Sequence, residues 1–153
     1  MLNKMVPRKK LTRRELQDLN LEIAFLEGVV LRDPMYFEAL QVLGADYSKR
    51  DDFLIGLRVD QRLARLRPTD PIVLYNLACS YSLTRQLRRA ADALNRAIEH
   101  GYNNFRLLTK DPDLANLRKH AMFRRVRARI GEVTSQSHCP RRPFRVSDFG
   151  AVR

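Results

Sequence analysis

Shifted by 34 residues, the stretch from Pro34 to Tyr102 falls on itself: Leu40 on Leu74, Leu43 on Leu77, Gly44 on Ala78, Tyr47 on Tyr81, Phe53 on Leu87, Gly56 on Ala90 and Leu57 on Ala91. A period of this length holds one supersecondary unit, and such a unit buries its apolar face only by stacking on a neighbour. The fold is therefore expected to grow along one axis.

The order of residues within each unit predicts a helical hairpin. Small residues on the first helix (Gly44, Ala78) meet small residues on the second (Gly56, Ala90), so two backbones can approach closely while bulkier neighbours fill the rest. Tyr47 and Tyr81 fall near the ends of the first helices, where a ring packs between hairpins and leaves its hydroxyl at the edge. Helices are expected over 35–48, 52–66, 71–83 and 87–100. Pro68 follows a helix end. Asp70-Pro71 opens the third helix, and Gly101 closes the fourth.

The flanks extend the pattern. Thr12 with Glu15 makes a capping box, and Leu16, Leu19, Ile23, Leu26 and Val30 recur at helical spacing up to Asp33-Pro34, which predicts a helix over 11–32. Beyond Gly101, short helices are expected over 103–108 and 111–117. Met122, Phe123, Val126 and Ile130 mark one more. Two hairpins alone would leave apolar faces bare, so these flanking helices read as caps. From Gly131 the Ser/Pro/Arg-rich text loses its period, and a mobile tail is expected there.

The first unit reads Leu40-x2-Leu43-Gly44-x2-Tyr47, then Gly56 and Pro68. The second reads Leu74-x2-Leu77-Ala78-x2-Tyr81, then Ala90 and Leu94, with Tyr102 where a closing Pro would fall. This order resembles the tetratricopeptide repeat (TPR) family. Asp60 departs from it, standing where the family usually carries a large apolar residue. The run from Gly101-Tyr102 through Asp111-Pro112-Asp113-Leu114 to Leu117-Arg118 is similar to the segment that closes many bacterial TPR arrays, so a small bacterial-type member is expected. The resemblance implies an all-α, TPR-like α-solenoid over 11–130. Its parts would be two full hairpins at about 37–70 and 71–102, an N-terminal half-repeat helix and C-terminal capping helices. A frayed basic segment (1–10) and a flexible basic tail (131–153) would flank it.

In TPR proteins the first helices of successive hairpins line a concave groove that receives a peptide or a partner helix. Carried over by position, the groove residues are Gln41, Ala45, Ser48 and Lys49 from the first hairpin and Tyr75, Asn76, Cys79 and Ser82 from the second. Only Asn76 matches the set with which some members clamp a terminal carboxylate, so chaperone tails are not the expected ligands. An apolar or mixed peptide fits this lining better, with Tyr75 as its amphipathic anchor.

Charge points to a second surface. Of the net +12, the repeat region 33–117 contributes almost nothing, with 12 Lys/Arg against 11 Asp/Glu. The C-terminal segment 118–153 carries 10 against 2. Arg118, Lys119, Arg124, Arg125, Arg127 and Arg129 form a basic patch that is a solvated capping face or, alternatively, a contact for RNA or another anionic surface.

Catalytic chemistry is not expected. His100, His120 and His138 are scattered, and phosphate-loop, nucleophile-elbow and zinc motifs are missing. Cys79 has no basic neighbour fixed beside it and reads as a small packing or groove-lining residue, while Cys139 reads as merely exposed. The Asp51-Asp52 pair suits a turn and a helix start. The expectation is a non-enzymatic scaffold or adaptor that binds another protein, needs no cofactor or metal and, with neither a membrane span nor a signal peptide, is cytoplasmic.

Overall fold

The computed structural model describes residues 10–137, which form helices with no strand among them. The first, α1 (Arg13–Arg32), starts at the expected capping box: Glu15 N donates to Thr12 Oγ1 at 3.2 Å, and Thr12 N donates to Glu15 Oε2 at 2.8 Å. Two hairpins follow, α2 (Phe37–Lys49) with α3 (Phe53–Leu66) and α4 (Pro71–Leu83) with α5 (Leu87–Glu99). The first helix of the first hairpin begins at Phe37 rather than Met35, because Met35 N is held by Asp33 Oδ1 at 3.0 Å in the preceding turn. Asp70 caps α4 through Oδ1, which accepts from Ile72 N and Val73 N at 2.9 and 3.2 Å.

The period reaches into the backbone of the turns. Asp51 and Arg85, one repeat apart, have φ of 65° and 62°. Each follows a first helix whose end is closed in the same way, with Asp52 N donating to the Tyr47 carbonyl and Gln86 N to the Tyr81 carbonyl, both at 2.9 Å. Gly101 (φ 101°) closes α5 likewise, with Tyr102 N donating to the Ala97 carbonyl at 2.9 Å. This is the left-handed C-terminal cap in which the amide three residues beyond the last helical residue bonds back five positions.

Side-chain contacts between hairpins carry the same period. Tyr47 donates its hydroxyl to Glu27 of α1, and Tyr81 accepts at its hydroxyl from Gln61 Nε2 of α3 at 3.3 Å. Glu27 and Gln61 are themselves one repeat apart. α1 thus occupies the place of a second helix, an orphan half-repeat packed on the first hairpin through Leu19, Ile23, Leu43 and Tyr47.

Small residues set the spacing inside the hairpins. A Cβ on Gly56 would stand 3.5 Å from the Gly44 carbonyl oxygen, and Ala78 and Ala90 are wholly buried at the matching positions of the second hairpin.

The closing end is built from α6 (Phe105–Lys110), a 3-10 turn (Pro112–Leu114), α7 (Ala115–Arg118) and α8 (Phe123–Ser137). Leu108, Leu114, Leu117, Phe123 and Val126 are buried in one cluster with the apolar faces of α4 and α5. α8 does not stop at Gly131. Val133 continues the stripe of Val126 and Ile130 against the same cluster, and the hydroxyls of Thr134 and Ser135 donate back to the carbonyls of Ile130 and Gly131 at 2.9 and 2.7 Å. The expected tail from 131 is therefore helical to Ser137. Its remainder, with His138 and Cys139, and residues 1–9 of the expected N-terminal segment lie outside the described residues. No described helix is long and apolar enough to cross a membrane.

Candidate functional site

The first helices of the two hairpins form the wall of a cavity of about 950 Å³. Gln41, Gly44, Ala45, Ser48 and Lys49 contribute from α2, Tyr75, Asn76, Cys79 and Ser80 from α4. Asp60 reaches it from α3, Asp111, Pro112 and Asp113 from the closing turn, and Lys10, Leu11 and Leu16 from the segment that leads into α1.

Seven of the eight groove residues read from the sequence thus surround one cavity, and Ser82 does not. It is wholly buried in the last turn of α4, where the closing segment covers it: Leu117 N donates to its Oγ at 3.4 Å and Asn116 Nδ2 to its carbonyl at 3.1 Å.

Tyr75 is not an exposed anchor. Only 5% of it is accessible, its ring stacks on Tyr102 with centroids 4.4 Å apart, and its hydroxyl donates to Asp111 Oδ2 at 2.6 Å. Burial, then the neighbouring Cys79 and Asp111, push this phenol far above its ordinary pKa. It is a wall of the cavity that ties α4 to the closing turn.

Cys79 stands beside it, with Sγ 3.9 Å from the same Asp111 oxygen. Burial first, and then the negative Asp111 and Asp113, raise its thiol pKa well above the usual value, the opposite of what a nucleophile needs. The exposed groove positions are Ala45, Lys49 and Asn76, with Gln41 and Ser48 partly exposed.

Sequence reasoning missed the acidic part of the lining. Asp60 is 7% exposed and accepts a hydrogen bond from the Ser80 hydroxyl. Burial raises its pKa to about 6, against a smaller lowering by Ser80. Its departure from the family pattern was the available signal. Asp111 and Asp113 gave none, because their place on the wall depends on how the closing turn folds back over α4.

The basic patch is divided by the structure. Arg118 turns inward and donates to the carbonyls of Leu108 and Asp111, holding the end of α6. Arg129 pairs with Glu99 at 2.7 Å and Glu132 at 3.1 Å. Lys119, Arg124, Arg125 and Arg127 are exposed, with the Arg127 guanidinium 5.9 Å from the centre of the Phe123 ring.

No family model matches the chain. It is 32% identical over 83 residues to a chloroplastic protein of Arabidopsis thaliana, covering 52% of this chain and 25% of that protein. It is 34% identical over 89 residues to the human PEX5-related protein, covering 58% and 14% respectively. Against a TPR repeat-containing protein of Picosynechococcus the identity is 34% over 65 residues, or 42% and 17%. The chain spans a quarter or less of the length of these relatives. With a 34-residue period, hairpins stacked in register with it and relatives of this kind, the chain is an all-α solenoid similar to tetratricopeptide repeat proteins.

Proposed function

We propose that this chain is a non-enzymatic protein-interaction module, an adaptor or co-chaperone-like scaffold acting in the cytoplasm, and that it receives an extended peptide or a partner helix in the cavity between α2 and α4. The observation that carries this reading is the cavity itself. Its volume of about 950 Å³ lies at the upper end of the range usual for binding clefts, and residues of both first helices line it. Exposed Ala45 and Asn76 offer contact on ordered helices.

The test uses positions whose change spares the core. Ala45→Arg or Asn76→Arg fills the cavity from an exposed site. Partners identified by affinity purification and mass spectrometry should then bind the variants more weakly by about 1 kcal/mol or more, the threshold for an interface anchor. The melting temperature should stay unchanged. The second reading, contact with RNA or an anionic surface, is favoured by the exposed Arg124, Arg125 and Arg127 on α8. If changing these three to Gln abolishes capture while Ala45→Arg leaves it intact, the cavity is not the binding site.

A further inference from the structure

A chain of net charge +12 sets carboxylates into the wall of its cavity, Asp60 from α3 and Asp111 from the closing turn. Asp60 is only 7% exposed, and its two oxygens are placed differently. Oδ2 accepts from the Ser80 hydroxyl, whereas Oδ1 accepts from no group among the described residues. Oδ1 lies 3.1 Å from where a Cβ on Gly44, another lining residue, would stand, so the glycine leaves this oxygen uncovered on the cavity side. A buried carboxylate oxygen without a donor is unfavourable until a ligand supplies one.

The nearby cations do not supply that donor. Lys49 Nζ lies 2.6 Å from Asp46 Oδ1 and Arg50 Nε lies 2.6 Å from Asp52 Oδ2, neither carboxylate being part of the wall. Lys10 is exposed and pairs with neither Asp60 nor Asp111, and Arg118 bonds the Asp111 carbonyl rather than its carboxylate. Asp111 is itself held in place: the Tyr75 hydroxyl donates to Oδ2 at 2.6 Å and Asp113 N to Oδ1 at 2.9 Å, which leaves acceptor capacity on the carboxylate. Burial first, and then Asp111, Asp113 and Asp60, raise the Cys79 thiol, so carboxylates from both elements gather around one sulfur. On a partly water-excluded wall such groups act more strongly on a cation than they would on an open surface.

We propose that the cavity takes an arginine side chain, carried by an extended segment of a partner protein, with its guanidinium set against Asp60 Oδ1 and the Asp111 carboxylate. This rests on the cavity being the binding groove, and it names the chemistry of what enters. Asp60 is recessed, so only a long side chain reaches it from a peptide lying along the groove. A guanidinium presents five donors in a flat fork, which can meet carboxylates from two elements at once, and it is more weakly hydrated than an ammonium, so it loses less on leaving water. The net positive charge of the chain repels cations at long range, and a preference for one therefore comes from this local arrangement alone.

Pools of heptapeptides test this, randomised over uncharged residues and fixed at the centre as arginine, lysine, citrulline or leucine. At about pH 8, above the Asp60 pKa of about 6, the full chain should retain the arginine pool about tenfold or more better than the citrulline pool, which keeps the shape without the charge. Asp60→Asn should bring the arginine pool down to the citrulline level while circular dichroism shows the variant folded. Asp92→Asn, which removes the same charge from an exposed site on α5, should leave the preference intact. Citrulline or leucine retained as well as arginine overturns the proposal, as do lysine retained equally, no pool retained, and equal loss in the two Asp variants. If Ala45→Arg still weakens partner capture in those cases, the groove reading survives alone. An arginine preference that Asp60→Asn removes and Asp92→Asn keeps upholds the proposed site, and if Ala45→Arg then leaves capture of the natural partner untouched, it is the interaction reading that fails.

Discussion

Asp60 shows how one residue can set the pH response of a helical stack. Its carboxyl is buried beside Ser80, with Asp111, Asp113 and the cations Lys10, Lys49 and Arg50 on the same cavity wall, and its pKa is raised from 3.8 to about 6. The folded state therefore holds this proton to higher pH than the unfolded chain does. Stability is greatest, as far as Asp60 decides it, below pH 4 and falls as pH rises through 6, by up to about 3 kcal/mol. Asp60→Asn removes that slope. Melting curves of the two proteins across pH 4 to 7 should diverge, with the variant gaining relative stability toward the upper end. Tyr75 obeys different physics. Its ring is stacked and its hydroxyl is bonded to a carboxylate, so Tyr75→Phe should cost about 1.5–3 kcal/mol and Tyr75→Ala about 3–5 kcal/mol. Urea titration of both variants checks the order. Loss of partner capture in Tyr75→Ala would thus report unfolding as much as contact.

Hairpins respond according to what faces their small residues. A Cβ at Gly56 meets nothing closer than 3.5 Å, and Ala90 already stands at the equivalent place one repeat on. Gly56→Ala should therefore raise stability by about 0.5–1 kcal/mol through helix propensity. At Gly44 the same change brings Cβ within 3.1 Å of Asp60 Oδ1 and 3.3 Å of Val59 Cγ1, so the gain is offset by disturbance of the Asp60–Ser80 bond. Ala90, with no accessible surface, has no room to grow: Ala90→Leu should overpack the second hairpin by about 1–3 kcal/mol. Thermal unfolding of these variants decides whether the close approach of helices is what sets the residue choice. The turns offer an independent check. Arg85 carries φ 62°, a conformation that disfavours any side chain, and Arg85→Gly should stabilise the second turn by up to about 1 kcal/mol, read as a raised melting temperature.

At the scale of the whole molecule the stack needs both of its ends. α1 covers the first hairpin by standing in for a missing second helix, while α8 and the short elements before it bury the far side of α4 and α5. Phe123→Ala, which removes a large buried side chain from that cluster, should cost about 3–5 kcal/mol although it lies outside both full repeats. Circular dichroism melts that lose the whole helical signal in one step would show that cap and repeats unfold together. The repeat, the capping box at Thr12 and the entry at Asp70-Pro71 were legible because each follows from sequence spacing, whereas the groove positions were carried over from the resemblance, and seven of those eight lie around one cavity. Helical periodicity and cap chemistry are written between near neighbours in the chain, and the 34-residue offset is read by laying the sequence on itself. Three features were not legible: the burial of Tyr75, the inward turn of Arg118 and the place of Asp111 and Asp113 on the cavity wall. Each depends on the closing turn at Asp111–Asp113 folding back across α4, a contact between residues more than 30 positions apart for Tyr75 and Cys79. Local pattern determined that there would be hairpins and which faces they share. Only the packing of the last elements against the first helices decided which of those faces stayed open, because burial of a side chain is a property of everything that comes to lie over it.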